Sequence, residues 1–223
     1  MKTIQLSFLP WRIPPGEQPD WQSPSGYAML EAAMPLENLT RARIVQALNL
    51  LGKLAEEESV ELEVCIYGGT AMMLAYGARE RTKDLDAIIR PSDVAKRLAV
   101  RVAEELRLDE SWLNDEVRRF VSDAGTFAPL RIHELEAAAK QHLKITRPSA
   151  SYLLAMKALS CRPPLPGYPG DVQDLKFLIR KMNIKTLQQI EEHIGRFYPY
   201  EALTSSAEEI IKCLLPKPGD DSK

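Results

Sequence analysis

Tyr67-Gly68-Gly69-Thr70-Ala71 stands a short way upstream of Arg81-Thr82-Lys83-Asp84-Leu85-Asp86-Ala87-Ile88-Ile89. Carboxylates that alternate along an apolar strand fall on one face, which places Asp84 and Asp86 together and sends Leu85, Ala87 and Ile89 to the other side. Two carboxylates held side by side repel unless a cation lies between them, and hard oxygen ligands of this kind suit Mg²⁺ or Mn²⁺. A glycine pair between a strand and a helix opens backbone N–H groups and the positive helix end toward phosphate oxygens. It also lacks the Cβ that would hold a phosphate off. The combination is suited to phosphoryl or nucleotidyl transfer: Asp84 and Asp86 hold one or two metal ions that bridge the phosphates of a nucleoside triphosphate, and Gly68, Gly69 and Thr70 seat those phosphates. Either half alone is also what a tight turn or a solvated strand end would show. It is their order and proximity that make the pair informative.

These residues need particular elements to position them. The spacing predicts a helix capped by Asn38 or Thr40, with Leu39, Ala42, Ile44, Val45, Leu48 and Leu51 on one face, ending near Glu58. A strand over residues 62–67, a short helix capped by Thr70 and ended by Gly77, and a second strand over 84–89 stopped by Pro91 follow. Ser92 and Asp93 open a helix whose Val94, Leu98, Val102 and Leu106 form an apolar stripe. Beyond it, a helix is expected over 111–121, an irregular stretch through Gly125 and Pro129, a helix over 133–140 and a third strand over 142–146. From Pro148 onward the pattern is helical, over 149–161, 170–182, 186–194 and 201–214, with proline or glycine breaks between. The expected fold class is α/β (α+β), a small mixed sheet flanked by helices and followed by a helical C-terminal region. The expected organisation is a proline-rich arm over 1–36 carrying Trp11 and Trp21, an α/β core over 37–147, a helical region over 148–215 and a polar tail over 216–223.

Composition narrows the function classes. In 223 residues, 29 lysines and arginines against 31 aspartates and glutamates give a net charge of −2, which argues against a wholly basic nucleic-acid coat. Any polyanion would have to be met locally, and Arg118, Arg119, Arg131, Lys140, Lys144 and Arg147 are the candidate groove for an RNA backbone, although scattered helix charges are usually a solvated face. Cys65, Cys161 and Cys213 form no CxxC pair and no disulfide framework, which fits a reducing, cytoplasmic setting. Residues 1–10 lack the length and cleavage region of a secretory signal, and no run approaches a membrane span. His133, His142 and His193 have no metal-ligand spacing with one another or with the cysteines, and Cys65 reads as an inert core residue.

The stretch from Gly68 to Ile88, GGTAMMLAYGARERTKDLDAI, resembles the signature of the DNA polymerase beta-type nucleotidyltransferase superfamily, in its minimal bacterial branch near the AbiEii-like toxin nucleotidyltransferases. Gly68, Gly69, Asp84 and Asp86 match that pattern, and Thr82 stands where the family often has serine or threonine. A second block, Tyr152-Leu153-Leu154-Ala155-Met156-Lys157-Ala158-Leu159 followed by Asp171-Val172-Gln173-Asp174-Leu175, is similar to the lysine helix and the Asp-x-x-Asp helix of the AbiEii-like proteins. The resemblance covers roughly residues 60–180. It implies a nucleotidyltransferase fold, a Lys157 that contacts the triphosphate, and an Asp171 or Asp174 that supplies the remaining acidic function. A lysine is a mobile point charge suited to phosphates. One departure stands out: many members carry a third carboxylate on a later central strand, and residues 142–146 hold none. Asp171 replaces it, or Asp174, or Asp123, or catalysis is impaired, with Asp171 favoured because it opens its helix.

The expected activity is therefore transfer of a nucleoside monophosphate from an NTP to an acceptor hydroxyl. By resemblance the acceptor is RNA, such as a tRNA end, and the partner an antitoxin protein. The alternative expectation is a catalytically weak nucleotide-binding protein that regulates another protein, and the plainest is an α/β domain whose acidic pair merely faces solvent.

Overall fold

The structure, a computed structural model, describes residues 38–163 and 170–216. The expected arm over 1–36 and most of the expected tail lie outside the described residues, as do residues 164–169 of the proline-bearing loop. From Asn38 onward the chain forms one compact unit.

A two-residue strand β1 (Leu39–Thr40) runs into α1 (Arg41–Glu57), where the Thr40 hydroxyl accepts from the Arg43 N–H at 3.3 Å and caps the first turn. The apolar spacing of α1 buries Ile44, Leu48 and Leu51 almost completely, each worth about 1.5–3 kcal/mol of transfer energy before entropy is counted. Strand β2 (Leu62–Ile66) leads straight into α2 (Gly68–Tyr76), which Gly77 ends in the left-handed conformation. Tyr67, not Thr70, occupies the N-cap of α2. Thr70 sits inside the first turn, because the glycine at 68 lets the helix begin three residues earlier than its hydroxyl suggested. Strand β3 (Arg81–Thr82) pairs with β1, and β4 (Leu85–Arg90) stops at Pro91.

Helix α3 (Ser92–Leu106) fully buries Ala95, Leu98, Ala99, Val102 and Ala103, whereas Val94 and Leu106 are only partly covered. Residues spaced by four drift about 40° per step around a helix, so the ends of the expected stripe slide off the core-facing side.

The expected helix over 111–121 is absent. In its place are β5 (Leu113–Asn114) and a 3-10 helix (Glu116–Phe120). Trp112 explains the difference: its ring is buried, its Nε1 donates to the Ala99 carbonyl at 3.0 Å, and its own carbonyl accepts from the Leu85 N–H at 2.7 Å. Those bonds commit the following residues to an extended path beside β4. The stretch expected to be irregular contains β6 (Phe127–Pro129), an edge strand, which is where a proline can sit without breaking a ladder. The helix expected over 133–140 is displaced to α4 (Ala137–His142), since the Asn49 side chain accepts from the Glu136 N–H at 2.9 Å and fixes where the helix begins.

Strand β7 (Leu143–Pro148) follows, then α5 (Ala150–Leu159), α6 (Val172–Lys181), α7 (Leu187–Phe197) and α8 (Ser205–Leu214). The five-stranded sheet runs β5-β4-β2-β7-β6, with β2 antiparallel to β4 and parallel to β7. The result is the mixed α/β architecture with a helical C-terminal region that the sequence predicted. No helix among the described residues is long and apolar enough to cross a membrane.

Helix α1 packs on α4 at Gly52, where a Cβ would come within 2.3 Å of the Ala139 Cα and 2.8 Å of its nitrogen. Those are backbone atoms that cannot step aside. Gly52→Ala is expected to destabilise the fold by about 1–3 kcal/mol in urea unfolding, because overpacking at a helix crossing outweighs alanine's gain of about 1 kcal/mol in helix propensity.

Candidate functional site

The alternation read from the sequence holds in β4: Leu85, Ala87 and Ile89 are buried, while Asp84 and Asp86 share the other, partly exposed face. Two buried hydroxyls fix the start of this strand. Thr70 Oγ1 donates to the Asp84 carbonyl at 2.8 Å, and Thr82 Oγ1 reaches the same oxygen at 3.2 Å. In this geometry Thr70 and Thr82 are clamps on the backbone that carries the acidic pair, and both are nearly inaccessible.

Gly68 adopts φ +56°, a conformation that favours glycine, and a Cβ there would lie 2.3 Å from Asp86 Oδ2. The missing side chain is what lets the Asp86 carboxylate approach the first turn of α2. At Gly69 the corresponding Cβ would meet Thr82 Oγ1 at 2.7 Å, so this glycine serves close packing between α2 and β3.

Gly68, Asp86 and Lys157 line one cavity of about 420 Å³. Its wall is completed by Glu116, Val117 and Phe120 from the 3-10 helix, by Leu153, Met156 and Ser160 from α5 and its end, and by Arg162. Burial pushes the Asp86 carboxyl up to about 6, with the neighbouring Asp84 adding to the rise and Lys157 opposing it. Burial likewise raises Asp84, against the pull of Lys83 and Asn114, and Glu116 raises it further. Asn114 faces Asp86 across the β4–β5 ladder and its side chain draws both carboxyls partly back down. This is a set of carboxylates short of positive charge.

Lys157 is buried in a second set of charges. Its Nζ lies 2.7 Å from Asp171 Oδ1 and 2.9 Å from Asp174 Oδ2. Arg79 Nε binds Asp174 Oδ1 at 2.6 Å, and Arg162 donates to Asp171 Oδ2 from Nε at 3.0 Å and from its backbone N–H at 3.2 Å. Asp174 Oδ2 makes its close approach to Lys157 off the angle of a hydrogen bond, so it is paired by charge alone. Burial opposes the Lys157 charge, but Asp174 and Asp171 more than offset it and hold the ammonium above its ordinary range. Burial also acts to raise Asp171, and Lys157 with Arg162 overcomes it, leaving that carboxyl below its usual range. An ammonium has three N–H donors. One donates to Asp171 Oδ1, and the side chain also lines the cavity.

The structure thus brings Gly68, Asp86 and Lys157 to one cavity with Asp84 beside them, and buries Asp171 and Asp174 behind Lys157. Asp123 lies exposed in a turn after the 3-10 helix and does not line the cavity. Asn114, Glu116, Phe120 and Arg162 escape sequence reasoning, because the first three belong to a stretch that reads as an ordinary helix and Arg162 is placed by its bond to Asp171. The candidate basic groove is dispersed and partly compensated: Arg118 pairs with Asp115, Lys144 with Glu61 at 2.6 Å, and Arg147 donates to Tyr76 Oη at 2.7 Å. His142 Nδ1 meets the Val60 carbonyl and His193 Nδ1 the Ser151 hydroxyl. Among the described residues no three of His, Cys, Asp and Glu form a complete metal cage. The donors beside the cavity, two carboxylates with Glu116 and Asn114 nearby, are all oxygen. They fit Mg²⁺, which takes one or two protein carboxylates and leaves the rest of its shell to water and phosphate.

Two outcomes test this electrostatic picture. Lys157→Met keeps most of the packing but strips Asp171 and Asp174 of their shared cation, and is expected to cost about 3–5 kcal/mol in chemical denaturation. For Asp86 the folded-state pKa lies above the ordinary 3.8, so the folded state holds an extra proton between that value and about 6, and stability falls as pH rises through this window. Asp86→Asn is therefore expected to stabilise the metal-free protein at pH 7, by at most about 3 kcal/mol, and to leave it unchanged near pH 3.5. Melts at the two pH values check the sign.

No family model matches the chain, and neither a curated protein nor a solved structure matches it, so the residues and their geometry carry the functional reading.

Proposed function

We propose that this protein is a Mg²⁺-dependent nucleotidyltransferase that moves a nucleoside monophosphate from an NTP to an acceptor hydroxyl. The observation that carries the reading is the shared cavity: Gly68 at the start of α2, the Asp86 carboxylate against it, and the Lys157 ammonium across from them. Asp84 and Asp86 would hold Mg²⁺, which when bound neutralises charge developing on the phosphates. Thr70 and Thr82 position the pair by clamping the Asp84 carbonyl. Lys157 and Arg162 bring positive charge to the triphosphate, and the start of α2 at Gly68 adds the positive end of a helix. The acceptor hydroxyl attacks the α-phosphorus in line, the bond to the β-phosphate oxygen breaks, pyrophosphate leaves, and the hydroxyl proton is released to solvent. The residues contribute position and field rather than covalent chemistry. RNA, such as a tRNA end, is the acceptor class, and an antitoxin protein the partner, that the resemblance implies.

A second reading has one observation in its favour. Asn114, an amide, stands opposite Asp86 in the ladder, so the neighbouring strand adds no third acid at that position, and Asp171 is occupied by Lys157 and Arg162. That is the arrangement expected of a protein that binds a nucleotide without turning it over and uses it to regulate a partner. Glu116, close enough to raise both aspartates, argues for the enzyme.

Incubation with each labelled NTP, Mg²⁺ and total RNA separates the two. The enzyme reading expects label on RNA, lost with EDTA and reduced about 100- to 1,000-fold by Asp86→Ala, as for removal of a principal electrostatic group. Saturable nucleotide binding with no transfer for any of the four nucleotides would establish the second reading. Binding of neither nucleotide nor metal would leave a plain α/β domain.

A further inference from the structure

Four large hydrophobic residues are exposed among the described residues: Val100, Phe120, Phe127 and Tyr200. Phe127 is engaged edge-on by Tyr67 and Tyr152. Among the described residues Phe120 has no such ring partner, and it is 61% exposed, yet it lines the cavity that holds Asp86 and Lys157. Its exposure is not that of a loose loop. The Phe120 carbonyl accepts from Tyr198 Oη at 2.6 Å, and two residues on, the Ser122 N–H donates to Tyr152 Oη at 2.6 Å while the Ser122 hydroxyl bonds the Phe197 carbonyl. The backbone is anchored on α5 and α7, and the ring is left facing solvent at the cavity wall.

The two ends of the 3-10 helix differ in surroundings. Glu116 opens it beside the acidic pair, whose pKa values register its charge. Phe120 closes it about 8 Å further along the helix axis, at the end tied to Tyr152 near the start of α5. Leu153 and Met156 line the cavity from the first turns of α5, whereas Lys157, Ser160 and Arg162 follow toward its far end. The cavity therefore grades from carboxylates and cations to an apolar wall of Val117, Phe120, Leu153 and Met156. A charged end and an aromatic end within one cavity match a nucleotide with its base on the ring.

We propose that Phe120 is the base-stacking residue of this site and that it makes the site prefer purine over pyrimidine nucleotides. The inference rests on the nucleotide reading given above. Stacking is available to every base because every base has a π-face, and the larger purine face gains more from it. The apolar side chains beside Phe120, namely Val117, Leu153 and Met156, carry no hydrogen-bonding group, so the contribution of the ring to selection is by area.

Calorimetric binding of ATP, UTP and inorganic tripolyphosphate to wild type, Phe120→Ala and Phe120→Trp tests this. Phe120→Ala is expected to weaken ATP binding about 5- to 100-fold, the span of base–aromatic stacking. It should weaken UTP less and leave base-free tripolyphosphate unchanged, while Phe120→Trp restores or tightens ATP. Unchanged ATP affinity in Phe120→Ala, or an equal loss for ATP and tripolyphosphate, overturns the stacking role while leaving the nucleotide site standing. Failure of wild type to bind any of the three overturns both.

Discussion

The Lys157 ammonium, buried between Asp171 and Asp174, is the interaction on which the site's arrangement depends. Desolvating a lysine and two aspartates is costly, and only close mutual pairing with further partners offsets it. Here Arg79 and Arg162 supply the remaining partners, so the cluster joins four pieces of chain: the segment after α2, helix α5, Arg162 three residues beyond its end, and the N-cap and first turn of α6. Sequence separations of up to 95 residues are closed by these bonds. The helical region is thereby fastened to the same α2 that begins at Gly68, and the face of α5 that carries Leu153, Met156 and Lys157 is held over the acidic pair.

On the sheet side, placement is achieved by hydroxyls and missing atoms. Thr70 and Thr82 converge on one carbonyl, and Gly68 and Gly69 omit the two methyl groups that would push Asp86 and Thr82 away. The consequence is an Asp86 carboxylate in a partly desolvated setting beside Asp84, with too little nearby positive charge to keep it at its ordinary pKa. A site that holds like charges together against this cost is one that gains when a cation and a polyphosphate enter. That is the physical link between the fold and the proposed chemistry.

Much of the architecture was legible because it is local. Helix α1 follows from Thr40 and the apolar spacing after it, α2 from the glycine pair and Gly77, and α5 to α8 from the proline and glycine breaks between them, although α8 begins at Ser205 behind a Thr204 cap and not at 201. The misreadings share a cause. Leu113–Asn114 and Phe127–Pro129 are strands only because β4 and β7 offer them unpaired edges, and no periodicity in two or three residues announces a distant ladder. Likewise α4 starts where Asn49, 87 residues earlier, captures a backbone N–H.

The sequence by itself determined that Asp84 and Asp86 share a face, since strand alternation requires it, and that a glycine turn precedes them. It did not determine what Lys157, Asp171 and Asp174 do to one another, or that Asn114, Glu116 and Phe120 stand at the cavity. Those depend on which buried charges meet and which edge Trp112 pins beside β4. Pairing of that kind is set by through-space distance, and local residue spacing does not encode it.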